Sequence, residues 1–365
     1  MKFLKAMQKF DSSGIRKVFD LASKLKKPIN LSIGEPDFNV PAEIKNEVCK
    51  AIKNNKNKYT QTAGIPVLRE KIALKLKHEN KIITHAENVI VTSGTSGALH
   101  LLFHVLLNPG DEVIIIDPYF VIYKQVPQLS GAKVKTISSY PDFSLPVLKI
   151  EKAITSKTKM VIINSPNNPT GKVYKEEELK NLVDVLKKKD ILLISDEIYE
   201  KFTYECEHVS PASIYKNTIT LNGFSKAYAL TGLRVGYAAG PKDIISEMIK
   251  LQQYTYVCAP SISQYAALKA LKVDTKKLVL EYKKRRDLMY KGLRENFKIE
   301  KPEGAFYVFP KVPKGSAENF AKKAIAKNLL IVPGGVFSFK DSHFRISFAA
   351  ALKDLKQGIK ILNEL

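Results

Sequence analysis

The chain has 365 residues, 45% of them hydrophobic and 26% charged, an ordinary globular composition that is long enough for one large unit plus a smaller one. No apolar run approaches the roughly 20 residues needed to cross a bilayer, and three widely spaced cysteines (Cys49, Cys206, Cys258) argue against a disulfide framework or a zinc ribbon and for a reducing, cytoplasmic setting. The formal charge of +23 raises nucleic acid as a partner, but the lysines are spread along the whole chain with no basic tail and no aromatic-interleaved stripe, so a solvated lysine surface is expected instead.

In chain order, Met1-Lys2-Phe3-Leu4-Lys5 is followed by no apolar core of leader length. Asn88 to Thr92 reads as a buried strand. It runs through Ser93-Gly94-Thr95-Ser96-Gly97 into an apolar helix, and the amides of Thr95 and Ser96 at such a helix start suit a phosphate. The loop is neither a Gly-x-Gly-x-x-Gly dinucleotide turn nor a nucleotide P-loop. His100 and His104 in that helix are spaced i, i+4 but have no acidic partner, so they read as packed or surface histidines.

Glu112 to Asp117, Met160 to Asn164, Ile191 to Ser195 and Thr218 to Leu221 are further short β-branched segments, with helix-period stretches such as Glu176 to Lys188 between them. The alternation predicts an α/β fold with a doubly wound, mostly parallel sheet. Ligands of such sheets sit outside the carboxyl ends of the strands. Glu281 to Phe297 reads as a charged connecting helix, and Ala305 to Phe309 and Phe344 to Phe348 as strands of a small α+β unit. The expected division is an N-terminal segment (1–40) belonging to the small domain, a large domain (41–275), a connecting helix (276–297) and the rest of the small domain (298–365).

The chemistry-bearing residues fall at strand ends. Asn168, in Asn167-Asn168-Pro169-Thr170-Gly171, is part of a tight turn or a donor to a phenolate-like oxygen. Asp196 is a helix cap or the partner of a protonated pyridine nitrogen, and Tyr199, three residues on, reaches the same oxygen as Asn168. Lys226 follows a small-residue turn, with Arg234 eight residues later before Gly236. A lysine buried beside such a site loses its proton readily and forms a Schiff base with an aldehyde. Only seven residues are arginine: Arg16, Arg69, Arg234, Arg285, Arg286, Arg294 and Arg345. In a lysine-rich chain they mark places where a bidentate guanidinium matters.

Gly34-Glu35-Pro36-Asp37-Phe38, Asn168-Pro169-Thr170-Gly171, Asp196-Glu197-Ile198-Tyr199, Ser225-Lys226 through Gly236 and Phe344-Arg345-Ile346-Ser347 together resemble the class I/II pyridoxal-phosphate aminotransferases of the aspartate aminotransferase fold. The likeness is to the compact archaeal and bacterial aspartate and aromatic amino-acid subgroup. It implies pyridoxal 5′-phosphate as cofactor, with Lys226 as Schiff-base lysine and proton shuttle, Asp196 at the ring nitrogen, and Asn168 and Tyr199 at the ring oxygen. It further implies Thr95, Ser96, Ser225 and Arg234 around the phosphate, Phe120 stacked on the ring, Arg345 and Gly34 at the substrate α-carboxylate, and a homodimer in which Tyr59 reaches the neighbouring phosphate. Gly223 departs from relatives that carry a serine there.

For the substrate, no arginine clearly reads a distal carboxylate. Arg16 lies on a segment that closes over the substrate in the resembled family, and Gln252 to Tyr256, Ile15 and Phe337 are candidates for an aromatic-tolerant pocket. The expectation is transfer of an amino group from aspartate or an aromatic amino acid to a 2-oxo acid such as 2-oxoglutarate. A β-lyase or decarboxylase on the same scaffold is the alternative.

Overall fold

The computed structural model describes residues 25–365, together with Gly14. Its strands are β1 (Ile29–Asn30), β2 (Val89–Thr92), β3 (Glu112–Asp117), β4 (Lys133–Ser138), β5 (Thr158–Asn164), β6 (Leu192–Asp196), β7 (Thr218–Gly223), β8 (Gly236–Ala239), β9 (Tyr307–Val308), β10 (Leu329–Leu330), β11 (Val332–Pro333) and β12 (Phe344–Ser347). Seven of them form one sheet in the order β2-β8-β7-β6-β5-β3-β4. All its pairings are parallel except those of β8, which runs against both β2 and β7. Six strands therefore deliver their carboxyl ends to one edge.

The sheet is apolar on both faces because alternate residues of each strand project to opposite sides. Val113 and Ile115 of β3 join one buried cluster with Leu99, Phe103 and Met248. Ile114 and Ile116 join another with Leu179, Leu182 and Leu186 of the helix Glu176–Lys189. Three acidic residues open that helix and three lysines close it, complementing its dipole.

The remaining strands build smaller sheets. β9, β12 and β11 are antiparallel with β12 central, and β1 pairs with β10 in parallel. The Ser347 amide donates to the Leu31 carbonyl, 2.8 Å, which ties the segment after β1 to β12. The helix Lys276–Leu293 begins and ends a few residues before the charged stretch read from sequence. Among the described residues no helix is long and apolar enough to cross a membrane, and Cys49, Cys206 and Cys258 are all unbridged.

Candidate active site

The strand ends open on a cavity of about 420 Å³. Gly34, Thr95, Ser96, Phe120, Asn168, Asp196, Tyr199, Ser225, Lys226, Arg234 and Arg345 all line it, so eleven residues singled out from sequence meet at one place. Tyr59 does not; it is 85% exposed on the surface. Arg16 and Ile15 lie outside the described residues. The expectation for Gln252 to Tyr256 is corrected. Gln252 is buried against the backbone of Thr62 and Val91, Tyr254 points to solvent, and Tyr256 meets the Ser93 amide. That helix packs behind the cavity and does not line it.

Lys226 follows the end of β7, and its Nζ donates to the Gly34 carbonyl at 2.7 Å. Burial, then the positive charge of Arg345 and to a smaller extent that of Arg234, bring its pKa down to about 8, while Glu35 and Asp196 pull it upward. About a tenth of the amine is thus uncharged at pH 7. Asp196, the last residue of β6, is 3% exposed, and burial raises its carboxyl to about 6. Its Oδ2 accepts from the Tyr123 hydroxyl at 2.7 Å and its Oδ1 from the Ile198 amide at 3.2 Å.

Arg345 projects from β12 and is 1% exposed. One Nη donates to Asn168 Oδ1 at 3.0 Å and the other to the Ser32 carbonyl at 2.6 Å, while Nε has no partner. The guanidinium lies between the rings of Tyr307 and Phe337, 4.6 and 4.7 Å from their centroids. No carboxylate pairs with it among the described residues. An uncompensated buried cation is costly, and a carboxylate-bearing ligand relieves that cost. Accepting through Oδ1 leaves Asn168 its amide nitrogen as the donor. The Tyr199 hydroxyl lies 2.7 Å from that of Tyr307. Burial raises the Tyr199 phenol well above its usual range, so it stays protonated.

A second anion subsite lies where the helix Gly94–Leu106 starts. Its N-cap, Ser93, makes no side-chain capping bond. Gly94 adopts φ 70°, and a Cβ there would fall 2.8 Å from Arg234 Nη2. Bare backbone is what lets the arginine share a wall with Thr95 and Ser96. Arg234 is itself held left-handed (φ 51°) and bonded to the Thr231 carbonyl. At Gly223 a Cβ would sit 3.0 Å from the Gly236 Cα, so a serine there needs the β7–β8 contact to give.

Tyr123 and Tyr307 are site residues that the sequence reading missed. Tyr123 follows Phe120 at i+3, a spacing that puts both on one side of a single helical turn. Tyr307 sat inside a run read only as a strand, where a buried hydroxyl among Phe residues is itself a signal of a polar partner. Elsewhere, Glu197, Glu200 and His208 bring their ligating atoms within 4.8 Å of one another. Lys75 pairs with Glu200 there, and Ser210 and Asn80 donate to Glu197, so the cluster is already balanced without a metal. His100 and His104 are exposed, with His104 Nδ1 against the His100 carbonyl.

Residues 26–360 match the family model described as aminotransferase class I and II. The chain is 41% identical to the probable aspartate aminotransferase of Methanocaldococcus jannaschii, over 97% of this chain and 96% of that one. It is 36% identical to aromatic-amino-acid aminotransferase 2 of Thermococcus litoralis, over 98% and 97%. The structure of Thermus thermophilus aspartate aminotransferase with maleate superposes with a TM-score of 0.96 at 35% identity, covering all of both chains. The chain belongs to the class I and II aminotransferases. It is an enzyme of the transaminase class, on the aspartate aminotransferase fold that its motifs resemble.

Proposed function

We propose that the enzyme uses pyridoxal 5′-phosphate to move the amino group of an L-amino acid, aspartate or an aromatic one, to a 2-oxo acid such as 2-oxoglutarate. The observation that carries this reading is Arg345. Among the described residues it is a buried cation without an anion and with a free Nε, and it faces the same cavity as the pKa-lowered Lys226.

The donor set fits the cofactor. Arg234, Thr95, Ser96 and Ser225 offer an anion subsite cleared of side chain at Gly94, Phe120 offers a flat apolar face, and Asp196 offers a buried carboxylate for a ring nitrogen. When bound, the group supplies an aldehyde for amine exchange and a ring that withdraws electrons from the substrate α-carbon. Asp196 holds the ring-nitrogen proton. Asn168 and Tyr199 donate toward the ring oxygen. Lys226 Nζ takes the proton from the substrate α-carbon, and the burial and arginine charges that depress its pKa keep it a competent base near neutrality. Arg345 grips the α-carboxylate with its planar fork, which serves amino acid and oxo acid alike.

The same reading assigns 41–275 to a cofactor-binding domain, 276–297 to a connector, and 1–40 with 298–365 to a small domain that carries the substrate arginine. It makes the enzyme a cytoplasmic homodimer in which the exposed Tyr59 completes the partner's anion subsite, and it assigns Arg16 to the substrate side chain. Supporting it are the exposure of Tyr59 and the three cations that line the cavity among the described residues. Arg345 and Arg234 already have roles there, and Lys226 is the base. The test is steady-state: protein with pyridoxal phosphate, 2-oxoglutarate and one candidate donor at a time, with glutamate as readout. Glutamate formed from aspartate, tyrosine or phenylalanine supports the reading; none from any of the three overturns the substrate class.

A further inference from the structure

Asp196 is buried at the end of β6, and burial works against its charge. As a neutral acid it could not stabilise a protonated ring nitrogen, so something must hold it ionised. Resting on the cofactor reading above, we propose that Tyr123 is a positioning residue for the reaction: its hydroxyl holds the Asp196 carboxylate ionised and oriented as the partner of the cofactor's ring nitrogen, without spending its charge.

The geometry is specific. The Tyr123 hydroxyl donates to Oδ2 at 2.7 Å and the Ile198 amide to Oδ1 at 3.2 Å, while Asn164 Nδ2 fixes the Asp196 carbonyl at 2.9 Å. Tyr123 sits in the one-turn helix Val121–Gln125, is 3% exposed, and packs edge-on to Phe120 with centroids 5.9 Å apart. The ring that lines the cavity and the hydroxyl behind Asp196 are thus placed by the same turn.

The kind of donor matters as much as its place. A lysine or arginine here would form an ion pair and neutralise the carboxylate. A phenol gives a hydrogen bond to the charged form and leaves the charge in place. Burial and the nearby Asp196 push the Tyr123 phenol far above its usual range, so it remains a donor across working pH. The other ionisable groups facing Asp196 are Glu197 beside it in the chain, Lys226 and Tyr199. Glu197 opposes ionisation and the Lys226 charge favours it, but neither Lys226, whose Nζ donates to the Gly34 carbonyl, nor Tyr199, whose hydroxyl lies against that of Tyr307, hydrogen-bonds the carboxylate. Of the described side chains, only Tyr123 donates to the carboxylate.

The experiment measures equilibrium binding of pyridoxal phosphate to the full chain from pH 5 to 9, for wild type and Tyr123→Phe, with thermal unfolding as a control. Loss of a hydrogen bond to a charged group corresponds to about 10-fold or more in affinity. The expected result is weakening of that size near neutral pH, with the acid limb of the binding profile moved to higher pH. Incorporating the more acidic 3-fluorotyrosine in place of Tyr123 should move that limb to lower pH, a change of sign that a merely structural role would not give. It also carries the test if Tyr123→Phe folds poorly. Unchanged affinity and an unchanged acid limb in both variants overturn the inference. Failure of the wild type to bind the cofactor at any pH overturns the cofactor reading and this inference with it, so the two failures are distinct.

Discussion

Among the described residues two arginines are almost completely buried, and they are buried for different reasons. Arg286, in the helix Lys276–Leu293, is 0% exposed; it pairs with Glu205 at 3.1 Å and Asp287 at 2.7 Å, and its guanidinium lies 4.9 Å from the Tyr204 ring centroid. Arg345 is as buried but has only a carbonyl and an amide oxygen as acceptors, and a free Nε. The first has carboxylates beside it, although its Nη2 makes no hydrogen bond, and it ties parts of the chain together. The second is an incomplete charge cluster, with a place left for a carboxylate that none of the described residues supplies. Burial therefore does not separate structural from functional cations in this lysine-rich chain; the absence of an anion does. By the same test Lys226 and Arg234, which have no salt-bridge partner among the described residues, group with Arg345.

The comparison can be broken by substitution. The largest effect falls on Lys226: Lys226→Ala should abolish turnover, since no other described lysine lines the cavity, and measurable steady-state activity in that variant would contradict its role. Next, Arg345→Lys keeps the charge but loses the fork. KM for the amino acid should rise about 10- to 100-fold, with kcat less affected, as the loss of one charge-assisted hydrogen bond implies.

The two arginines should then trade places in stability. Arg286→Met should lower unfolding free energy by about 2–4 kcal/mol while the folded fraction keeps its turnover. Arg345→Met should leave stability within about 1 kcal/mol of wild type, or above it, while activity collapses. Denaturant melts read beside specific activity check both, and the reverse pattern would dissolve the distinction.

A smaller effect is pH-dependent. The folded pKa of Lys226, about 8, is below its ordinary value, so its favourable contribution is present above that ordinary value and is lost as pH falls through about 8. Without cofactor, Lys226→Met should therefore be more stable than wild type by about 1–3 kcal/mol below pH 8. The gain should fade toward pH 10.5, the group's reference value. Thermal melts at several pH values check the sign.

Much of this was legible before any coordinates. β-branched runs bounded by turn residues marked β2, β3, β5, β6 and β7, and the rule that ligands sit at carboxyl strand ends grouped Asn168, Asp196 and Lys226, which line one cavity. β8 was hidden because Gly236-Tyr237-Ala238-Ala239 carries two alanines and a glycine, residues of low strand propensity, and is held by its neighbours β2 and β7. β4 was hidden because Lys133-Val134-Lys135 at the sheet edge carries the lysines of a strand facing water. In the site, the long-range contacts could not be read. The distances from Tyr123 to Asp196 and from Tyr307 to Tyr199 span 73 and 108 residues of chain. No local pattern encodes them, whereas a strand followed by its own loop is local. The expected pocket wall at Gln252 to Tyr256 failed for the same reason: its helix is amphipathic, and which element receives its apolar face is decided by tertiary packing.

The central claim is that Arg345 waits for an α-carboxylate beside the base Lys226. It is tested most directly by a single-turnover titration of the cofactor-loaded protein with matched pairs, L-tyrosine against tyramine and L-aspartate against β-alanine. The readout is the visible cofactor band as it converts to the amine form. The account predicts conversion by at least one of the two amino acids and none by the partner lacking the α-carboxylate. Equal conversion by tyramine and tyrosine, or no cofactor band at all, would contradict it.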